Sequence, residues 1–265
     1  MQYDPIKDRL GDFFSRKPVL QRTFYALLDL FFLRAWYVKR EVRRLLAAYP
    51  PGRTIDVLDA GTGFGQYAHF IAEAFPNAHV LAVDVKQDYL DNARRFFDRM
   101  PYANRVQTAR EDLTQLKAEG PFDFALSVDV MEHIEDDRAV FRHFARVLRS
   151  GGHVLINTPS NLGGSDVHGE GEASFIEEHV RDGYSREELE GKLRDAGLEP
   201  VRTLYTYGPY GSLAWRLLIK TPMQMVGKSR AAFALLPFYY VPVLPVGTLL
   251  NAIDVRRRNE TGTGL

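Results

Sequence analysis

The chain has 265 residues, 45% of them hydrophobic, enough for one α/β domain with additions and too few for more than two small domains. It has no cysteine, which excludes a disulfide framework, a thiolate metal site and a cysteine nucleophile. Its 34 basic and 34 acidic residues cancel, but residues 1–50 and 210–265 are basic while the middle is acidic, which argues against nucleic acid as substrate and lets both flanks lie on an anionic surface.

Met1 to Arg9 is polar and charged, so no cleavable signal pattern opens the chain. Residues 1–50 read as helices: Leu20, Phe24, Leu27, Leu28, Phe31 and Phe32 keep helical spacing. Asp29 and Arg34 interrupt that run, which is too short and too charged to cross a bilayer. Pro50-Pro51-Gly52 ends it. The segment reads as a cap over the active site, a membrane-surface helix, or both.

Ile55, Val57 and Leu58 then form an apolar strand run, followed by Asp59 and glycines at 61, 63 and 65, and by a helical pattern through Tyr67, Phe70, Ile71 and Ala74. Strand, glycine turn and helix together make a nucleotide-binding loop, because glycine permits a tight turn and close approach of a ligand. The spacing is neither G-x-G-x-x-G nor a P-loop. It is D-x-G-x-G-x-G, and Val57-Leu58-Asp59-Ala60-Gly61-Thr62-Gly63-Phe64-Gly65 resembles the first motif of the class I S-adenosylmethionine (SAM)-dependent methyltransferases. The resemblance implies cofactor contacts from Asp59, Ala60, Gly61 and Gly63.

The next strand, His79 to Asp84, is almost wholly apolar, as a buried parallel strand is. A carboxylate at its end, about 20 residues past the glycine loop, is placed to accept both ribose hydroxyls. In the family an acidic residue here has that role, with Val85 beside it; a helix cap near Gln87 is the structural alternative. A helix from Gln87 to Arg99 leads to a third strand, Arg105 to Ala109. Glu111, Asp112 and Leu113 follow; the resemblance places an acceptor for the adenine amine here and Leu113 on the ring face, with Asp112 as a helix cap the competing reading. The fourth strand, Phe122 to Asp129, runs into Val130-Met131-Glu132-His133, similar to the family's D-V-x-E-H sequence, with Val128 along the cofactor. A helix from Asp136 to Arg149, ended by Gly151-Gly152, precedes a fifth strand, His153 to Asn157.

Residues 160–184 form a long loop carrying His168, His179, Arg181 and Tyr184; loops of this length in compact domains are commonly lids or sites. Ser185 to Glu188 resembles a capping box, opening a helix closed by Gly197. Pro200 to Tyr207 reads as strand six. Residues 231–250 then carry no charge over twenty positions, the length of a membrane span. Pro237, Pro242 and Pro245 argue against one straight helix, and basic residues on both sides fit a bent segment dipping into one leaflet. An apolar lid or a dimer surface is the alternative. The family usually ends in a seventh, antiparallel strand between strands five and six; only Thr261 to Leu265 is left for it, which is short.

The expected fold is α/β, a Rossmann-like doubly wound, mostly parallel sheet (the SAM methyltransferase fold) with an N-terminal helical cap (1–50), a SAM-binding core (51–207) and an apolar C-terminal insertion (208–265). The expected reaction is SAM-dependent methyl transfer, to a hydroxyl of a hydrophobic, lipid- or quinone-like small molecule. Its alternatives are a soluble methyltransferase of a small polar metabolite with residues 231–250 as a lid, and a non-catalytic SAM-binding scaffold. A base helps a hydroxyl acceptor; the candidates are His133 first, then His168 and His179 in the long loop with Tyr184 near, a structural hydrogen-bonding role being the alternative for each histidine. Asp129, Glu132 and His133, gathered by one helical turn, would suit a hard divalent ion. The ubiquinone-biosynthesis O-methyltransferases look similar there, with Glu in place of Asp129; their upstream pattern also resembles Leu33 to Val38, which brings Arg34 to the SAM carboxylate. Metal ligation is left uncommitted. The expected location is the cytoplasm, with peripheral contact on the inner face of the membrane, and the oligomeric state is open.

Overall fold

A computed structural model describes residues 18–163, 180–228 and 230–265. Five strands form one sheet in the order β3-β2-β1-β4-β5: β1 (Ile55–Ala60), β2 (Ala78–Asp84), β3 (Val106–Arg110), β4 (Phe122–Val128) and β5 (Leu148–Asn157). All neighbours pair in parallel, with Val57 opposite both Val80 and Phe124. Side chains alternate across the sheet, so each central strand feeds two cores. On one face Ile55, Val57, Val80 and Phe124 pack with Val38, Val42 and Leu46 of α2 (Leu33–Leu46), Ile71 of α3 (Gln66–Ala74) and Phe96 and Phe97 of α4 (Gln87–Phe97). On the other, Leu58, Val83 and Ala125 pack with Val140, Phe141 and Phe144 of α5 (Asp137–Val147) and Leu189 of α6 (Arg186–Asp195). Two covered faces explain why these strands read as continuous apolar runs.

The expected fifth strand starts earlier than the sequence indicates. Helix α5 stops at Val147, and β5 begins at Leu148 with a register shift. The Gly151-Gly152 pair lies inside the strand, with Gly151 at φ +78° taking the bend.

Residues 200–207 are not a sixth strand. Only Tyr205 and Thr206 make isolated antiparallel bridges, to Asn259 and Gly264. The chain end fills the gap at this edge. Leu265 exchanges both backbone hydrogen bonds with Thr158, at 3.0 and 2.8 Å, and Gly264 does so with Thr206, at 2.8 and 3.2 Å. With Thr263, which accepts from Ser160 N–H at 3.0 Å, three residues occupy the antiparallel place between strand five and the strand-six position, and Leu265 is buried in the second core.

The N-terminal helix α1 (Pro18–Phe31) lies over the glycine loop. The Tyr25 hydroxyl donates to the Phe64 carbonyl, and Gln66 donates to Asp29 at 2.8 Å. At the C-terminal side, α7 (Pro209–Trp215), a π turn (Arg216–Lys220), α8 (Thr221–Lys228) and a 3₁₀ turn (Arg230–Leu235) lead into α9 (Leu236–Arg256). Helix α9 runs unbroken through Pro242 and Pro245, contrary to the expectation that the prolines divide it. Pro237 sits in its first turn, where no intrahelical donor is needed. Pro242 and Pro245 leave the carbonyls of Phe238 and Val241 without their helical donors, on two of the most exposed residues of the helix, at 77% and 75%.

Candidate functional site

Strand order reverses between β1 and β4, and in open parallel sheets the crevice at the carboxyl ends of such strands is where ligands bind. The glycine loop leaves β1 at that crevice. The N–H groups of Gly61 and Thr62 both donate to the Val83 carbonyl at 2.9 Å, tying the loop to β2. Gly61 has φ +84°, and a Cβ there would meet Val130 Cγ2 at 2.3 Å, so no larger residue fits. Gly63 has φ +54° and an open outer face, with no atom within 4 Å of where a Cβ would stand. Asp59 works from beneath: it is 2% exposed and accepts from the Thr62 hydroxyl at 2.6 Å. Burial pushes its pKa up to about 6. It stays inside the loop rather than facing the crevice. Ala60, at 0% exposure, is likewise interior.

Asp84 closes the loop from β2. One carboxylate oxygen accepts from Gly63 N–H at 2.9 Å and the other from Lys86 N–H at 3.0 Å. It does not cap α4, whose N-cap is Lys86 without a side-chain bond. Val85 beside it is an exposed apolar side chain. Asp112 accepts from the Thr114 N–H at 2.8 Å and hydroxyl at 2.7 Å, capping the 3₁₀ turn Leu113–Gln115, so the capping role is present. Glu111 accepts from Lys117 N–H at 3.0 Å. Leu113, 5% exposed, belongs to the second core and offers little surface to a ring.

A third group gathers around Arg34, at the start of α2. Its guanidinium is ion-paired with Asp129, just beyond β4 and Val128, and the Arg34 backbone N–H donates to the Tyr207 hydroxyl at 3.2 Å. Asp129 and Tyr207, both at φ 52°, are the non-glycine residues with positive φ among the described residues. Such backbone strain collects at functional sites. Burial disfavours the Arg34 charge, but Asp129 more than offsets it and the pKa is raised. Burial carries the Tyr207 hydroxyl up to about 12. The Tyr67 hydroxyl, within electrostatic reach of Arg34 and Asp129, is buried with no hydrogen-bond partner. An orphaned buried hydroxyl is uncommon and marks a place for a missing polar group.

The metal arrangement does not form. Met131–His133 is a 3₁₀ turn, with Asp129 ahead of it in a left-handed conformation. Asp129 is taken by Arg34, Glu132 is 1% exposed and accepts from the Thr158 hydroxyl at 3.2 Å, and His133 is exposed. Among the described residues no three His, Asp or Glu side chains are grouped to hold a metal. Burial and then the Asp129 charge push the Glu132 pKa up to about 8. A carboxyl raised in the folded state contributes stability below its ordinary value and loses it as pH rises through the folded value. Relative to Glu132→Gln, the native protein is therefore expected to lose stability progressively between about pH 4.5 and 8. Urea unfolding of both proteins across that range checks this; parallel pH curves would contradict it.

Tyr184 is not at the crevice. It is 0% exposed, its hydroxyl donates to Asp137 at 2.7 Å, and Arg181 and Lys192 lie 4.9 and 5.0 Å from its ring centre. Burial and the Asp137 contact raise its pKa far above the phenol range, so it is a structural pillar and no base. His133 remains at the rim after β4. His179 and His168 lie outside the described residues. Sequence reasoning missed Tyr67 and Tyr207; Tyr67 keeps the apolar spacing of α3, and nothing in sequence pairs Tyr207 with Arg34, 173 positions away.

Residues 57–152 match the family profile of a methyltransferase domain. That stretch carries most of β1, all of β2 to β4, the glycine loop, Asp84 and the turn after β4. Over that stretch the core is similar to SAM-dependent methyltransferase domains. Over 147 residues it is 32% identical to phosphoethanolamine N-methyltransferase 1 of Triticum aestivum, covering 55% of this chain and 28% of the relative. Over 122 residues it is 30% identical to trans-aconitate 2-methyltransferase of Azoarcus sp. (strain BH72), covering 46% of each. The chain spans less than half the length of either relative. A solved structure of a candidate sarcosine dimethylglycine methyltransferase from Galdieria sulphuraria superposes with a TM-score of 0.58 at 19% identity, over 83% of this chain and 80% of that one, a likeness of fold.

The crevice suits SAM in three respects. Gly63 leaves its backbone open to a ligand. Each Asp84 oxygen accepts one backbone N–H, from Gly63 and from Lys86, and a carboxylate has about four acceptor sites. The Arg34–Asp129 pair with the orphaned Tyr67 hydroxyl offers both charges and a spare hydroxyl to the amino-acid end.

Proposed function

We propose that this chain transfers a methyl group from SAM to a small molecule with a large apolar part, met at a membrane surface. The observation that carries the first half is the Gly63–Asp84 junction, where an open backbone and a part-used carboxylate face the crevice. Bound SAM supplies a methyl already activated by its sulfonium, so the protein's main work is alignment and exclusion of water. Asp84 would accept both ribose hydroxyls, with Val85 along the adenine and the exposed Asp112 near its amine. Arg34 would take the amino-acid carboxylate and Asp129 its ammonium. Helix α1 over the loop closes this side to water. With a hydroxyl acceptor, His133 at the end of β4 would take the proton. The relatives' names give different acceptors, so the choice of a hydroxyl rests on that imidazole.

The second half rests on α9. It is long and apolar enough to cross a membrane by length and composition, with only 6% of its apolar window buried. Its inner face, Gly247, Asn251 and Asp254, is buried, while Phe238, Val241, Val246 and Leu249 are exposed. A crossing helix would hold the carbonyls freed by Pro242 and Pro245 in hydrocarbon, which costs several kcal/mol each. Lying in the interface lets headgroups and water pair them. Replacing Phe238, Val241 and Leu249 together by aspartate is expected to reduce partitioning onto phospholipid vesicles by at least about 100-fold, read by flotation, while calorimetric SAM binding is unchanged. Equal flotation of variant and native protein would sink the membrane half; absence of SAM binding by the native chain would sink the first.

A further inference from the structure

Six arginines converge on a groove whose lining shares no residue with the glycine loop. Arg40 of α2, Arg186 of α6, Arg202, and Arg256, Arg257 and Arg258 at the end of α9 line an open groove of about 410 Å³. No acidic side chain lines it. The carboxylates beneath are oversubscribed. Glu41 is shared by Arg40 at 2.8 Å, Arg44 at 2.8 Å and Arg202 at 3.3 Å. Glu190 is shared by Arg186 at 2.8 Å and Arg194 at 3.1 Å. Asp254 is 0% exposed and turned inward to Tyr37 at 2.7 Å and Gly211 N–H at 2.8 Å.

Several of the cations are held in place by contacts that leave their charge in excess. Arg40 donates to the Val255 carbonyl and lies over the Tyr37 ring at 5.0 Å. Arg257 lies over the Tyr210 ring at 5.2 Å. The Arg256 and Arg258 side chains make no hydrogen bond or ion pair with another described residue, and both residues are exposed. The negative end of a helix accounts for one basic residue in its last turn; it does not account for arginines brought in from α2, from α6 and from the segment before α7. Like charges brought together on fixed elements, with too few counter-charges, raise a local positive potential that attracts an anion.

We infer that this groove is a binding site for a phosphate group. Guanidinium forks match phosphate oxygens bidentately, and the volume admits a phosphate with a small polar substituent. The phosphate has two possible sources. A phospholipid headgroup would reach the groove because Arg256 to Arg258 directly continue α9, whose exposed apolar face would lie at the acyl boundary. A soluble phosphomonoester would reach it from water, so the site does not depend on the membrane reading.

The test uses the full chain, the double variant R256Q/R258Q, and the charge-matched control R94Q/R99Q on and just beyond the exposed side of α4. Thermal shift with inorganic phosphate, at matched ionic strength against chloride, reads the soluble source. Flotation on phosphatidylcholine vesicles with and without about one quarter phosphatidylglycerol reads the headgroup. Near an anionic surface each arginine is worth about fivefold in partitioning, so R256Q/R258Q is expected to bind the anionic vesicles about 25-fold more weakly, with the control near the native value. A phosphate stabilisation lost in R256Q/R258Q and kept in the control supports the site with a soluble ligand; a vesicle effect without it supports the headgroup. The inference is overturned if neither measurement separates R256Q/R258Q from R94Q/R99Q.

Discussion

Replacing Asp84 by alanine is expected to weaken SAM binding about 100-fold. Two hydroxyl-to-carboxylate hydrogen bonds, each worth about 1.5 kcal/mol as bonds to a charged group, set that magnitude. The variant also strips acceptors from Gly63 and Lys86 N–H groups, so the loop loses part of its fixed shape. Asp84→Asn keeps acceptor oxygen and size but introduces donors against the same N–H groups, and should fall between. Isothermal calorimetry with S-adenosylhomocysteine reads both. Unfolding midpoints should move little, because Asp84 is a rim residue; a large stability loss with unchanged affinity would reverse the assignment.

The largest stability effect is expected at Asp137. Asp137 is 3% exposed and receives the Tyr184 hydroxyl at 2.7 Å, Lys192 at 2.7 Å and the Arg181 guanidinium. Removing one partner of a buried ion pair leaves uncompensated charge, and Asp137→Ala is expected to cost about 3–5 kcal/mol. Burial alone would raise this carboxyl, but Lys192, Tyr184 and Arg181 outweigh it and hold it below its ordinary 3.8. A depressed carboxyl contributes stability above the unfolded value and loses it as pH falls through the folded one. The gap between native protein and variant, read by urea unfolding, should therefore be full near neutral pH and shrink below the ordinary value. Function should suffer too, because Arg181 also donates to the Ile134 carbonyl at 2.7 Å and so holds the turn that carries His133.

Much of the core is legible in the sequence because its signals are local. An apolar strand run, three glycines at alternate positions and a carboxylate at the next strand end are each short patterns with a direct physical cause, and the structure joins them at Gly63 and Asp84. What the sequence hides depends on distant partners. Tyr184 stands in a loop rich in polar residues and reads as a site residue; only its burial against Asp137 shows it to be a pillar. Thr261 to Leu265 looks too short for a strand, yet three residues suffice when both neighbours, Thr158 and Thr206, already wait at the edge. The i, i+3, i+4 spacing of Asp129, Glu132 and His133 suggests convergence, but that rule holds on an α-helix and the chain makes a 3₁₀ turn there. The prolines of α9 read as breaks, although a helix exposed on that side can leave two carbonyls to its surroundings.

The most direct test is a crystal structure of the full chain with S-adenosylhomocysteine. The account predicts the ribose hydroxyls within hydrogen-bond distance of Asp84, the nucleoside against Gly61 and Gly63, and the amino-acid end beside Arg34 and Asp129. A nucleoside bound elsewhere, or one whose ribose makes no contact with Asp84, would contradict it.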